Sequence, residues 1–346
     1  MSLALRARRG VRLVATAQAH PTELPPLGRR GERLTNAAVY GRLFGDRWEA
    51  ELERRGWSPD HVQSQWGVAE REWVVEADAG DLAILAARRA REAAPAVSPE
   101  VVVVATSTPA RISSALASRV ARELDLSGPA VDVRAGGVGA LQAWITALGW
   151  LEAGARSALV VASEVPSAYV DPADLGSSLL YGDGAGAVLL EAGAHDEGLL
   201  GGVFGNDAAP GRPFTIPGDL PPTAAACEAG VFRFQPPSKD YVDAIHGRWR
   251  RLASDLRERF DAVLARGAQV VPYAVTRPQL DLVTKALDVD PARVHSQLER
   301  QGCQGCAGPL VALHRLREAR GDVPVLLLAV GGGVAWGALG WGPVMP

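Results

Sequence analysis

The chain reads as an α/β protein with a mostly parallel sheet covered on both faces, and as a fold written twice. Three observations predict it: apolar β-branched runs of strand length, helix-period stretches between them, and an element order that recurs in the second half. The strand-like runs are 101–105, 158–162, 187–190, 269–272 and 325–330. Helical periodicity marks 81–93 and 252–265.

The recurrence is visible segment by segment. "EVVVVATSTP" from Glu100 resembles "AQVVPYAVTRP" from Ala268, each a strand and a turn closed by proline. "GGVGALQAWITALGWLEAGARSALVVAS" (136–163) resembles "GCAGPLVALHRLREARGDVPVLLLAV" (305–330). Each runs small-residue turn, amphipathic helix, polar loop, buried strand. The seam is expected near 191–198, dividing the chain into halves 1–193 and 194–346. Residues 206–237, rich in Gly and Pro, read as a long loop or cap over the second half.

Composition narrows the function classes. With 346 residues, 47% hydrophobic and 22% charged, the chain can bury a sizeable core. A net charge of −3 carries no footprint for nucleic acid or an anionic membrane. Three cysteines, an odd number, speak against a disulfide framework and for a reducing, cytoplasmic setting. The first seventeen residues interleave basic residues with short apolar runs, unlike a secretory signal. The uncharged run 323–341 has the length of a membrane span, but its three consecutive glycines predict two buried strands joined by a glycine turn.

Two local patterns invite chemistry. In "VDVRAGGVGALQAW" (131–144) a strand ends, a small-residue turn follows, and an apolar helix opens. Backbone N–H groups and the helix dipole acidify a cysteine placed there, yet none is present. "GDGAGA" (182–187) lacks the spacing and the lysine of a phosphate loop and reads as tight glycine packing between strands. Cys303 and Cys306 form C-x-x-C, but the six histidines offer no paired ligands, so no metal is expected.

"DVRAGGVG", "LVVASE", "YGDGAGAVLLE", "VVPYAVTRP", "GCQGCAGPLVAL" and "LLLAVGGGVAWG" occur in the order and spacing of the thiolase superfamily. "WGVAERE" (66–72) resembles the N-terminal segment of its β-ketoacyl-ACP synthase III branch, and "VTRP" with "DVDPARV" is similar to OleA-type enzymes. The resemblance implies a five-layer αβαβα fold, a dimer, and Claisen condensation of acyl thioesters by a Cys-His-Asn set, without a cofactor.

Aligned on those motifs, Gly137 stands at the cysteine, Tyr273 at the histidine and Cys303 at the asparagine. The resemblance therefore implies a degenerate subunit paired with a competent homologue, with acyl carrier protein as a possible further partner. A loop that crosses the interface in this family corresponds to 106–118, where Ser114 replaces a donated glutamate. Asp60 and Glu70 are alternative donors to a partner's site. Two other readings stay open: a stand-alone acyltransferase using Cys303 or Cys306, the latter with a depressed pKa at a helix start, and a non-enzymatic acyl- or carrier-binding protein.

Overall fold

The computed structural model describes residues 2–6, 8–26, 30–171, 174–208 and 210–343. The first half opens with strands β1 (Leu3–Leu5), β2 (Arg8–Arg9), β3 (Val11–Ala19) and β4 (Gly31–Thr35). Three short helices follow, α1 (Asn36–Phe44), α2 (Trp48–Arg54) and α3 (His61–Trp66), then β5 (Glu70–Val74). Next come α4 (Ala79–Ala93), β6 (Val101–Ala105), α5 (Leu116–Glu123) and β7 (Ala130–Val133). α6 (Gly139–Glu152), β8 (Ser157–Glu164), α7 (Leu175–Leu180) and β9 (Gly184–Ala192) complete it.

The second half runs β10 (Glu197–Asn206), α8 (Ala224–Glu228), α9 (Lys239–Ala265), β11 (Gln269–Pro272) and α10 (Arg277–Leu287). It ends with α11 (Leu298–Gln301), α12 (Gly308–Arg320), β12 (Val325–Gly331) and β13 (Ala335–Pro343).

Two main sheets carry the repeat. One has the order β3-β9-β8-β6-β7, the other β1-β10-β13-β12-β11, with β2 also on β10. Matching them pairs β3 with β10, β9 with β13, β8 with β12 and β6 with β11. Both sheets are mixed, which corrects the expectation of mostly parallel ones. β6 pairs in parallel with β7 and β8, and β11 with β12, while β9 and β13 run antiparallel to their neighbours. The reason lies in the connections: parallel neighbours need a helical crossover, whereas a three-residue glycine turn leads β12 straight back into β13. The apolar run 323–341 is thus two strands in antiparallel register, Val325 opposite Trp341. Among the described residues no helix is long and apolar enough to cross a membrane.

Helices separate and cover the sheets. Residues of α6 and α12 pack between them in one core with Val103, Val160, Leu327 and Leu339. α4 and α5 cover the outer face of the first sheet, and α9 and α10 that of the second. The result is five layers, αβαβα. α4 illustrates how local sequence sets an element: Asp78 accepts from Gly80 and Asp81 N–H groups while Asp81 reaches back to the Asp78 N–H. The helix expected at 252–265 is the end of the much longer α9. The small β4–β5 sheet and α1–α3 form an apolar cluster that reaches Leu179, Tyr181 and Cys303. β1, from the start of the chain, crosses to the second sheet and pairs with β10.

Candidate functional site

The empty turn sits where the sequence places it. β7 ends at Val133, residues Gly136–Val138 make one 3-10 turn, and α6 starts at Gly139. Glycine suits position 136, since its φ is +54°, in the left-handed region. The same construction recurs at Gly305–Ala307 before α12, with Gly305 at φ +51°. Cys306 is therefore the repeat's counterpart of Gly137. The two turns meet: a Cβ on Gly139 would lie 3.2 Å from Cys306 Sγ.

Gly137 is not an open vacancy. A Cβ built there would stand 2.5 Å from Tyr273 Cε1 and 2.8 Å from its Cζ. The tyrosine ring, carried just past β11 with its N–H bonded to the Leu328 carbonyl, fills the place of the missing side chain. Cys303 Sγ lies 3.8 Å from Tyr273 Oη. Gly137, Tyr273 and Cys303, distant in sequence, are thus one cluster.

Electrostatics make that cluster inert. Cys303 is fully buried, and burial pushes its thiol up to about 11. Burial likewise raises the Tyr273 phenol well above its ordinary value. Both are neutral at pH 7, so neither is a nucleophile or a base. Cys306 corrects the expectation of a depressed pKa at a helix start. Its thiol is buried and donates to Glu164 Oε1 at 3.0 Å, and burial with that carboxylate raises it well above the usual range.

Sequence reasoning passed over Glu164, which ends β8 in "LVVASE". It accepts from the Ser107 N–H, the Thr108 hydroxyl at 2.6 Å and Cys306, and burial raises its pKa against those bonds. A charged residue closing an otherwise apolar strand was the available signal.

Aromatic side chains close the other flank. Tyr181 stacks on Phe214 at 5.3 Å and Phe234 at 5.1 Å, and Trp73 Nε1 donates to the Tyr181 carbonyl. Both phenylalanines come from 206–237, whose described residues include one short helix, α8, and a bridge between Thr215 and Gln235. Ser114 lies on an exposed loop at φ +69°, Asp60 precedes α3, and Glu70 opens β5. None of the three is hydrogen-bonded to Tyr273 or Cys303.

Residues 131–208 match the family of 3-oxoacyl-[acyl-carrier-protein] synthase III, and 268–342 match its C-terminal part. A β-ketoacyl-[acyl-carrier-protein] synthase III of Streptomyces coelicolor is 35% identical over 289 residues, covering 80% of this chain and 86% of the relative. The chain belongs to the β-ketoacyl-ACP synthase III family. The enzyme of that name from Pseudomonas aeruginosa is 34% identical over 319 residues, 88% of this chain and 94% of its own. The crystal structure of FabH from Pseudomonas aeruginosa PAO1 superposes with a TM-score of 0.80 at 28% identity, covering 96% of this chain and 98% of that one. OleA from Xanthomonas campestris shares the fold, with a TM-score of 0.74 at 19% identity and 96% and 98% coverage.

Proposed function

We propose that this chain is a non-catalytic subunit of a heterodimeric acyl-condensing enzyme in lipid or β-lactone-type secondary metabolism. It pairs with a synthase III homologue that keeps Cys, His and Asn, and it completes that subunit's acyl tunnel. One observation carries the reading: the Tyr273 ring occupies the volume that a nucleophile at residue 137 requires. Covalent acyl transfer needs an activated nucleophile beside a base, and the buried neutral Cys303 and Cys306 supply neither.

A pairing surface supports the partner. β7 is the edge of its sheet, and its Val131 is exposed. Nearby in sequence, Ile112 is 68% exposed on the loop that precedes α5. An unpaired edge strand beside exposed apolar groups favours a second chain. Three free cysteines fit a cytoplasmic setting.

Native and denaturing mass spectrometry, on the chain recovered from its producing cells and treated with a long-chain acyl-CoA, tests the reading. The expected result is a homologous second chain bearing the acyl adduct, with none on this chain. Val131→Lys is expected to weaken that assembly at least tenfold while leaving the fold intact. A homodimer with the adduct on Cys303 or Cys306 overturns the proposal in favour of a relocated nucleophile. Thioester binding with neither turnover nor partner overturns it in favour of an acyl-binding protein.

A further inference from the structure

A groove of about 610 Å³ opens beside the turn, on its solvent side. Small-molecule sites fall at about 300–1,000 Å³. Its walls come from five separate segments: Leu3 of β1, Arg134 and Gly136 between β7 and α6, Gln142 of α6, Phe204 to Asn206 of β10, and Gly332 with Ala335 where β12 returns into β13. The buried Tyr273–Cys303 cluster is not part of that lining.

The lining is chemically divided. Leu3, Phe204 and Ala335 give it an apolar side, on which methylene groups lose water contact favourably. Arg134, Gln142 and Asn206 give it a polar one. Among the described arginines that face solvent, Arg12, Arg42 and Arg54 are engaged by carboxylates, whereas Arg134 is one of several that are not. Among the described residues it meets no carboxylate, and its one hydrogen bond is a long one of 3.4 Å to the Ser107 carbonyl. The side chains of Gln142 and Asn206 also make no hydrogen bond to another described residue. Three unspent polar groups therefore line one groove, with a cation among them.

We propose that this groove binds a short carboxylate-bearing acyl group, its carboxylate held by the Arg134 guanidinium and its methylenes lying on Leu3 and Phe204. A planar fork of donors matches a carboxylate in bidentate geometry, and Gln142 and Asn206 add neutral donors. An arginine set among apolar walls discriminates against a chain that ends in a methyl group, because such a chain leaves the guanidinium desolvated and unpaired. The proposal is separate from the assignment of a non-catalytic subunit, since it needs neither turnover nor a partner.

Calorimetric titration of the full-length chain with adipate and with hexanoate, matched in length and differing in one carboxylate, tests it. Adipate is expected to bind at least tenfold more tightly. Arg134→Gln abolishes the preference, and Arg111→Gln, on an exposed loop outside the groove, preserves it. Circular dichroism of each variant checks that the fold is kept. Equal affinity for the two acids, or an adipate preference that survives Arg134→Gln, overturns the proposal. So does loss of hetero-assembly in Arg134→Gln with no adipate binding in the wild type, since the guanidinium then serves a carboxylate of a partner protein.

Discussion

At residue 137 a strand-to-helix turn carries no side chain, and the Tyr273 ring fills the space beside it. A cysteine introduced there alone therefore meets a filled site. Gly137→Cys is expected to lower stability by about 1–3 kcal/mol through overpacking, and to take no acyl group from a long-chain acyl-CoA. Adding Tyr273→His replaces the phenol ring with a smaller imidazole and is expected to recover most of that loss. Thermal unfolding of the two variants beside the wild type checks this; equal midpoints for all three would mean the ring moves aside without cost. Thiol accessibility gives a second residue-scale expectation. Cys227 is exposed on α8, whereas Cys303 and Cys306 are buried. Iodoacetamide at pH 8 should label one site in the native protein and three in urea, read by intact mass. Two or more labels in the native state would contradict the burial on which the inert cluster rests.

Elements differ in how firmly they are held. β6 and β8 are buried along their whole length between two helical layers, so they belong to the slowest-opening part of the molecule. The segment 206–237 is attached otherwise, by aromatic stacking of Phe214 and Phe234 on Tyr181 and of Phe234 near Tyr169. Truncating one anchor should free the segment without unfolding the sheets. Phe234→Ala is expected to weaken this docking by about 1–3 kcal/mol, less than for a fully buried ring. Limited proteolysis should then cut within 207–237 many times faster, while global unfolding by urea shifts little. Unchanged cleavage would show that the loop is held by its backbone bridge and not by its rings.

Across the whole molecule, buried ionisable groups link stability to pH in opposite senses. Burial raises Asp183 from 3.8 to about 7, although it accepts from the Val74 and Ser167 N–H groups and the Ser167 hydroxyl. Between those values the folded chain holds a proton that the unfolded chain has lost. This contribution to stability therefore falls as pH rises through the window and is flat above it. His20, bonded to Gln301, is lowered by burial from 6.5 to about 4, so its contribution rises across that range. Comparing wild type with Asp183→Asn isolates the first effect. The wild type's stability relative to the variant is expected to decline from pH 5 to 7 and then level off, as urea unfolding at several pH values would record. A constant difference would mean that the carboxyl ionises normally inside the fold.

The pattern of apolar runs, helical stretches and glycine turns was enough to read the α/β class, the duplication, the empty turn and the hairpin at 323–341. These features follow from near-neighbour chemistry: β-branched residues suit strands, and glycine adopts the positive φ of Gly136 and Gly305 at least cost. The proposed correspondence of Gly137, Tyr273 and Cys303 to a Cys-His-Asn set rests on the motif resemblance alone. The sequence pattern could not show that Tyr273 fills the space at Gly137, that Cys306 faces Glu164 and not solvent, or that five segments enclose a groove at Arg134. Those depend on chain segments more than a hundred residues apart meeting in one place. Burial, and with it the pKa of a cysteine at a helix start, is set there by what packs around it, so a local rule for an acidified thiol failed at Cys306. Sheet polarity was decided at the same level, because the direction of β9 and β13 depends on how their connections return across the core.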